Sequence, residues 1–102
     1  MRQVVWAASA SADLQQQITH LAADDPQAAR RIATAISATA EALGPFATGH
    51  PGRVAGTYEK AVRGLPYIIA YTLTGDDRTV AILRVIHTSR DWRDERWPQD
   101  RA

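Results

Sequence analysis

Residues 65–92 read LPYIIAYTLTGDDRTVAILRVIHTSRDW: two apolar runs parted by a Gly-Asp-Asp turn and closed by a cluster of ionisable groups. The first run, residues 66–73, is rich in Tyr, Ile and Thr, which fit a pleated, half-buried surface. Gly75, Asp76 and Asp77 tolerate positive φ and bond their own backbone, so residues 79–86 are expected to return as the second strand of an antiparallel hairpin. Both faces of both strands are largely apolar, which predicts central strands covered by other elements. Arg84 is conspicuous there, because a guanidinium in such a run must reach an open face or find a carboxylate, for which Asp91 and Glu59 are the candidates.

Outward from the hairpin, residues 3–7 predict a short strand. Ser9 or Ser11 can cap a first helix, with Asp13 near its positive N-terminal end. Leu14, Ile18, Leu21 and Ala22 form its apolar stripe. Asp24-Asp25-Pro26 ends that helix and starts the next, with Asp25 as N-cap and Pro26 at the first helical position. The second helix extends to Leu43 on a stripe of Ala29, Ile32, Ile36, Ala40 and Leu43, and Gly44-Pro45 stops it. So short a connection makes the two helices an antiparallel hairpin. Residues 46–52 read as a loop, and residues 53–63 as one or two short strands interrupted near Gly56. The order β, α, α and then three or four antiparallel strands is an α+β domain: a short N-terminal strand and a helix hairpin packed on one face of a small antiparallel sheet.

Composition bounds what such a domain can do. The 102 residues make one domain, 1–102, with 88–102 as a C-terminal tail, and the chain has no cysteine, which excludes disulfides and thiolate chemistry. His20, His50 and His87 are scattered without metal-ligand spacing, so neither a metal nor a cofactor is expected. No segment has the length for a signal peptide or membrane span, and a soluble, cytoplasmic protein is expected. The net charge of +1 argues against a strongly basic nucleic-acid binder.

The opening strand, the helix pair broken at Asp24-Asp25-Pro26, the LPYIIAY strand and above all the ending ILRVIHTSRDW resemble the RelE/ParE superfamily of toxins from type II toxin-antitoxin modules. The resemblance covers residues 3–92. It implies this small α+β fold, a cognate antitoxin that wraps the toxin, and operator DNA bound only through that antitoxin. Superfamily members act in two ways: RelE-like toxins cleave messenger RNA on the ribosome, and ParE-like toxins poison DNA gyrase.

Site chemistry separates these activities, because one fold hosts both. Metal-free RNA cleavage needs a base at the 2'-hydroxyl, cations around the phosphate and an acid for the leaving oxygen. Lys60, Arg63 and Arg84 are the candidate cations, His87 has a reference pKa suited to proton transfer, and Glu59 is a second acid-base candidate. The ribonuclease members are similar to one another in carrying a basic residue where this chain has Leu65-Pro66, and a tyrosine near the C-terminus that is missing beyond His87. Strand parity also places Arg84 and Ile86 on one face and Val85 and His87 on the other, so Arg84 and His87 meet only through a bulge or a bent strand end.

The reading is therefore a ParE-like gyrase inhibitor that binds without catalysis, with no catalytic residue assigned and with Arg84, Arg90 and Trp97 as candidate target contacts. The alternatives are a ribosome-dependent mRNA endonuclease using Lys60, Arg63, Arg84 and His87, and a non-toxic binding partner or co-repressor. His87 is otherwise a hydrogen-bonded structural residue, and Arg90-Asp91 a clamp at the sheet's end. Tyr67 and Tyr71 share the face of Ile69 and Leu73 and are expected in the core. Trp92 is expected to fold back on the sheet and Trp97 to meet a partner. The antitoxin is expected on the helix hairpin, in a groove between the helices, or on a sheet edge.

Overall fold

The structure, a computed structural model, describes residues 1–89. Strand β1 (Gln3–Trp6) leads into helices α1 (Ala8–Ala22) and α2 (Pro26–Ala42), followed by β2 (His50–Pro51), β3 (Tyr58–Ala61), β4 (Tyr67–Thr74) and β5 (Thr79–His87). They form one five-stranded sheet in the order β1-β5-β4-β3-β2. Strands β2 to β5 are antiparallel neighbours, as expected, while β1 joins β5 in parallel, pairing Gln3 with Thr79 and Trp6 with Ile82, so the sheet is mixed. The sequence carries no sign of that pairing, which depends on how the helix hairpin returns the chain.

The hairpin of β4 and β5 turns where Gly75, Asp76 and Asp77 all take positive φ, at 59°, 56° and 65°. Asp is among the few non-glycine residues that adopt this region readily. Tyr67, Ile69 and Tyr71 of β4 and Val80, Ile82 and Val85 of β5 bury together beneath Ala10, Ile36, Ala40 and Leu43 of the helical layer. Alanine at the helix contacts lets the helices approach closely, and the larger side chains of the sheet fill the space below.

Helix α2 starts as the sequence requires, with Pro26 inside its first turn and the Asp25 carboxylate accepting from the Ala28 N–H at 3.0 Å. Helix α1 does not. Its N-cap is Ala7, which makes no side-chain cap bond, and Ser9 lies within the helix. Asp13 falls beyond the first turn, too far along for the helix dipole to be its reason. The capping expectation failed at Ser9 because β5 claims its hydroxyl, and β5 claims the Asp13 carboxylate as well.

Residues 46–52 are not wholly a loop, since His50 and Pro51 pair with Glu59 and Tyr58 as a two-residue edge strand. Residues 53–63 form only one strand, β3, after a turn that holds Gly56 at a φ of 82°. On the sheet face away from the main core, Ala70 and Ile86 are buried, and Val54 of this turn packs on them. No helix among the described residues is long and apolar enough to cross a membrane.

Candidate functional site

Beyond Trp6 the chain leaves the sheet, and β5 would present bare backbone groups where its parallel partner ends. The N-cap of helix α1 supplies one of the missing bonds from its backbone, and the helix supplies two more from side chains. The Ala7 N–H donates to the Ile82 carbonyl at 2.8 Å, the Ser9 hydroxyl donates to the Leu83 carbonyl at 2.7 Å, and the Val85 N–H donates to the Asp13 carboxylate at 3.0 Å. Ser9 and Asp13 are four residues apart and so share one face of the helix. The strand edge is sealed by a helix.

Arg84 completes this arrangement. Its Nε donates to Asp13 Oδ2 at 2.6 Å and its Nη2 to Asp13 Oδ1 at 2.9 Å, a two-point guanidinium-carboxylate pair. The side chains are 25% and 14% exposed, so both charges are largely withdrawn from water and held together there. Asp13 is thus a carboxylate partner of Arg84; of the two expected candidates, Asp91 lies outside the described residues, and the Glu59 carboxylate is buried and instead accepts from the Arg53 N–H at 3.0 Å. Glu59 thereby ties down the turn beneath β3 and is withdrawn from acid-base work in solvent.

A bulge does interrupt β5. Ala70 pairs with Arg84 and Tyr71 with Ile82, leaving Leu83 as the extra residue. It lies before Arg84, so the alternation from Arg84 to His87 is intact, and Arg84 stays on the face opposite His87. His87 stands edge-on to the Tyr67 ring, with centroids 5.1 Å apart, and its Nδ1 accepts from the Ser89 N–H at 3.2 Å. It is embedded in local structure at the sheet's end. Tyr67 lies in the row between β5 and β3, so His87 and Lys60 are separated by a strand and by a buried ring.

Lys60 and Arg63 belong to another region. They flank an open apolar concavity of about 680 Å3 between the C-terminal half of α2 and β3, whose other walls include Ala38, Ala42, Leu43, Phe46 and Ala61. Phe46, just past the end of α2, is 73% exposed. The concavity lies between a helix and the sheet, not between the two helices as the alanine content suggested. The chain beside it is held by Tyr71, whose buried hydroxyl accepts from the Gly49 N–H at 3.0 Å. A Cβ on Gly49 would come within 2.7 Å of that hydroxyl and of the Glu59 carbonyl, so only glycine fits. Burial raises the Tyr71 pKa above the ordinary tyrosine value, against a smaller opposing effect of the Gly49 N–H.

The four residues considered for RNA cleavage are thus dispersed: Arg84 against α1, His87 on the opposite face against Tyr67, and Lys60 and Arg63 at the far flank. Among the described residues no group of His, Asp and Glu could hold a metal ion. Arg90, Trp92 and Trp97 lie outside the described residues. Sequence reading missed Asp13 and Phe46. For Phe46 a signal existed, a large aromatic set in a Gly-Pro loop.

Comparison with known proteins agrees with this architecture. Residues 4–92 match the family described as "ParE toxin of type II toxin-antitoxin system, parDE". A Sinorhizobium fredii protein named "Putative toxin Y4kP" is 34% identical over 92 residues, covering 89% of this chain and 93% of its own. Among solved structures, a chain of the chromosomal ParDE toxin-antitoxin system from P. aeruginosa superposes with a TM-score of 0.75 at 24% identity, covering 83% of this chain and 94% of that one. A chain of the RelBE2 toxin-antitoxin complex from Mycobacterium tuberculosis does so with a TM-score of 0.59 at 28% identity, covering 84% and 96%.

Proposed function

From the premise that this chain belongs to the ParE toxin family of type II toxin-antitoxin systems, we propose that it arrests growth by binding and poisoning DNA gyrase and makes or breaks no bond itself. The observation that carries this reading is the dispersal of the cations. Cleavage of RNA without a metal requires base, acid and phosphate-binding cations around one phosphate. Here the Arg84 guanidinium is paired with Asp13, His87 lies across the sheet against Tyr67, and Lys60 and Arg63 stand at another flank.

The cognate antitoxin neutralises the toxin by covering its surface, and operator DNA is reached only through that antitoxin. Arg84 contributes by fixing α1 to β5 rather than by reaching the target. Arg90 and Trp97 are the residues assigned to target contact. A gyrase supercoiling assay with purified toxin, run beside in vitro translation with primer extension, tests the reading. Supercoiling should be inhibited and transcripts left whole.

Likeness to the RelBE2 chain makes the ribosome-dependent ribonuclease the reading to test against. Site-specific transcript cleavage with unaffected gyrase would establish it in place of ours. His87→Ala divides the two independently: growth arrest survives if the protein is a binder, whereas an enzyme using this histidine for proton transfer loses roughly 100-fold or more. Unimpaired growth on induction without antitoxin would instead indicate a non-toxic binding partner.

A further inference from the structure

The outer surface of the helical layer carries two matching polar stripes. Ala12, Gln15, Gln16 and Thr19 on α1, and Gln27, Arg30, Arg31 and Thr34 on α2, each follow the spacing i, i+3, i+4, i+7 that keeps residues on one helix face. All eight are exposed, and each set lines an open depression. They lie opposite the faces that bury Ala10 on α1 and Ala29, Ile36 and Ala40 on α2, so both stripes point away from the sheet. The short connection 23–25 sets the stripes side by side, about 8–10 Å apart at the spacing of packed helices.

Charge on this surface is one-sided. No acidic residue occurs between Asp13 and Asp24 or between Asp25 and Glu41. Asp13 is held by Arg84 and Val85, the Asp25 carboxylate accepts from the Ala28 N–H, and Asp24 lies in the connection, off both stripes. Among the described residues Arg30 and Arg31 have no ion-pair partner, and no Asp or Glu lines either depression. A specific protein interface is built on a buried apolar or aromatic centre. With Ala12 as the one apolar member of the two stripes, this surface has no such centre. Amides and hydroxyls beside arginines are instead the groups that proteins place on phosphate oxygens.

We propose that the outer face of α1 and α2 is a contact surface for the phosphate backbone of duplex DNA, with Arg30 and Arg31 as its cations and Gln15, Gln16 and Gln27 as neutral donors. The contact is independent of base sequence and so is separate from operator recognition. It rests on the gyrase reading for its occasion alone: a toxin that acts on an enzyme holding DNA meets that DNA too. Two arginines neutralise about two phosphates, so the contact is weak by itself, with a logarithmic salt slope of about −1.8.

Amide NMR spectra of the full chain, titrated with a short mixed-sequence duplex, read a weak contact directly and without gyrase. Shifts are expected at residues 12–20 and 27–34, with affinity falling roughly 10-fold between about 50 and 200 mM salt. Arg30→Gln/Arg31→Gln, which preserves helix propensity, should remove the shifts and leave a folded spectrum. Arg30→Lys/Arg31→Lys, which keeps the charge, should retain them.

No shifts at millimolar duplex, shifts centred elsewhere, or shifts that survive Arg30→Gln/Arg31→Gln each overturn the proposal. Poly-glutamate that shifts the same amides as strongly as the duplex assigns the face to an acidic protein and overturns it as well. Duplex-dependent shifts in a toxin that leaves gyrase untouched overturn the gyrase reading and leave the DNA contact standing.

Discussion

Beside β5 a carboxylate, a hydroxyl and a guanidinium are engaged with one another or with the strand's backbone, whereas between α2 and β3 the Phe46 ring and Arg63 are exposed and Lys60 is partly so. Both regions are rich in the residue types that build binding sites. They differ in whether the fold supplies the partner. Asp13 accepts three hydrogen bonds from Arg84 and Val85, so Arg84 is part of the framework even though it is the most unusual residue of its strand. Lys60 and Arg63 occupy ordinary positions and remain unpaired among the described residues. A charge is informative about partners only after its internal bonds are known.

If the comparison holds, Asp13→Ala should be the most damaging change, costing roughly 2–4 kcal/mol in urea unfolding, because it removes the two bonds to the largely buried Arg84 guanidinium and the one to the Val85 N–H together. Arg84→Met should cost less, since Asp13 keeps the Val85 bond. Equal stability of wild type and Asp13→Ala would erase the distinction between the two regions. Ser9→Ala, which removes one bond from the same edge, should cost about 1 kcal/mol by the same measurement.

Tyr71→Phe sharpens the boundary between framework and groove, with an expected cost of about 1 kcal/mol at neutral pH for the lost bond to Gly49. It also carries a pH signature. Folding holds the Tyr71 hydroxyl protonated above its ordinary value, so the stability it contributes is complete below about pH 10, where an unfolded-chain tyrosine titrates, and is lost as pH rises beyond that. Urea titrations from neutral to strongly alkaline pH should show wild type falling more steeply than Tyr71→Phe.

At the small end, Phe46→Ala and the Lys60→Glu/Arg63→Glu pair should each leave unfolding free energy within about 0.5 kcal/mol of wild type. A loss as large as that of Asp13→Ala would make the groove part of the framework as well.

Much of this architecture was legible because it is local. Alternating apolar residues, the Gly-Asp-Asp turn and the Asp25-Pro26 helix start each depend on neighbours a few positions away, and each is where the sequence placed it. The expected bond from Ser9 to the helix start failed for the opposite reason: Ser9 is committed to Leu83, as Asp13 is to Val85, each distant in sequence and adjacent only after folding. Strand β2 was invisible because two residues carry no periodicity. The site residues fared likewise. Parity separated Arg84 from His87 correctly, while the Asp13 partnership and the position of Lys60 and Arg63 beside Phe46 required the packed helices.

The parallel pairing of β1 with β5 sets an order of events in the cell. Residues 3–6 leave the ribosome well before their neighbours in the sheet, residues 79–82, and contacts so far apart in sequence form slowly. Until they do, Ser9 and Asp13 have no strand edge to bond. The domain thus completes its fold only after residues 79–82 have been synthesised, so the first strand and the helix that follows it wait, made but unanchored, for the last strand to arrive.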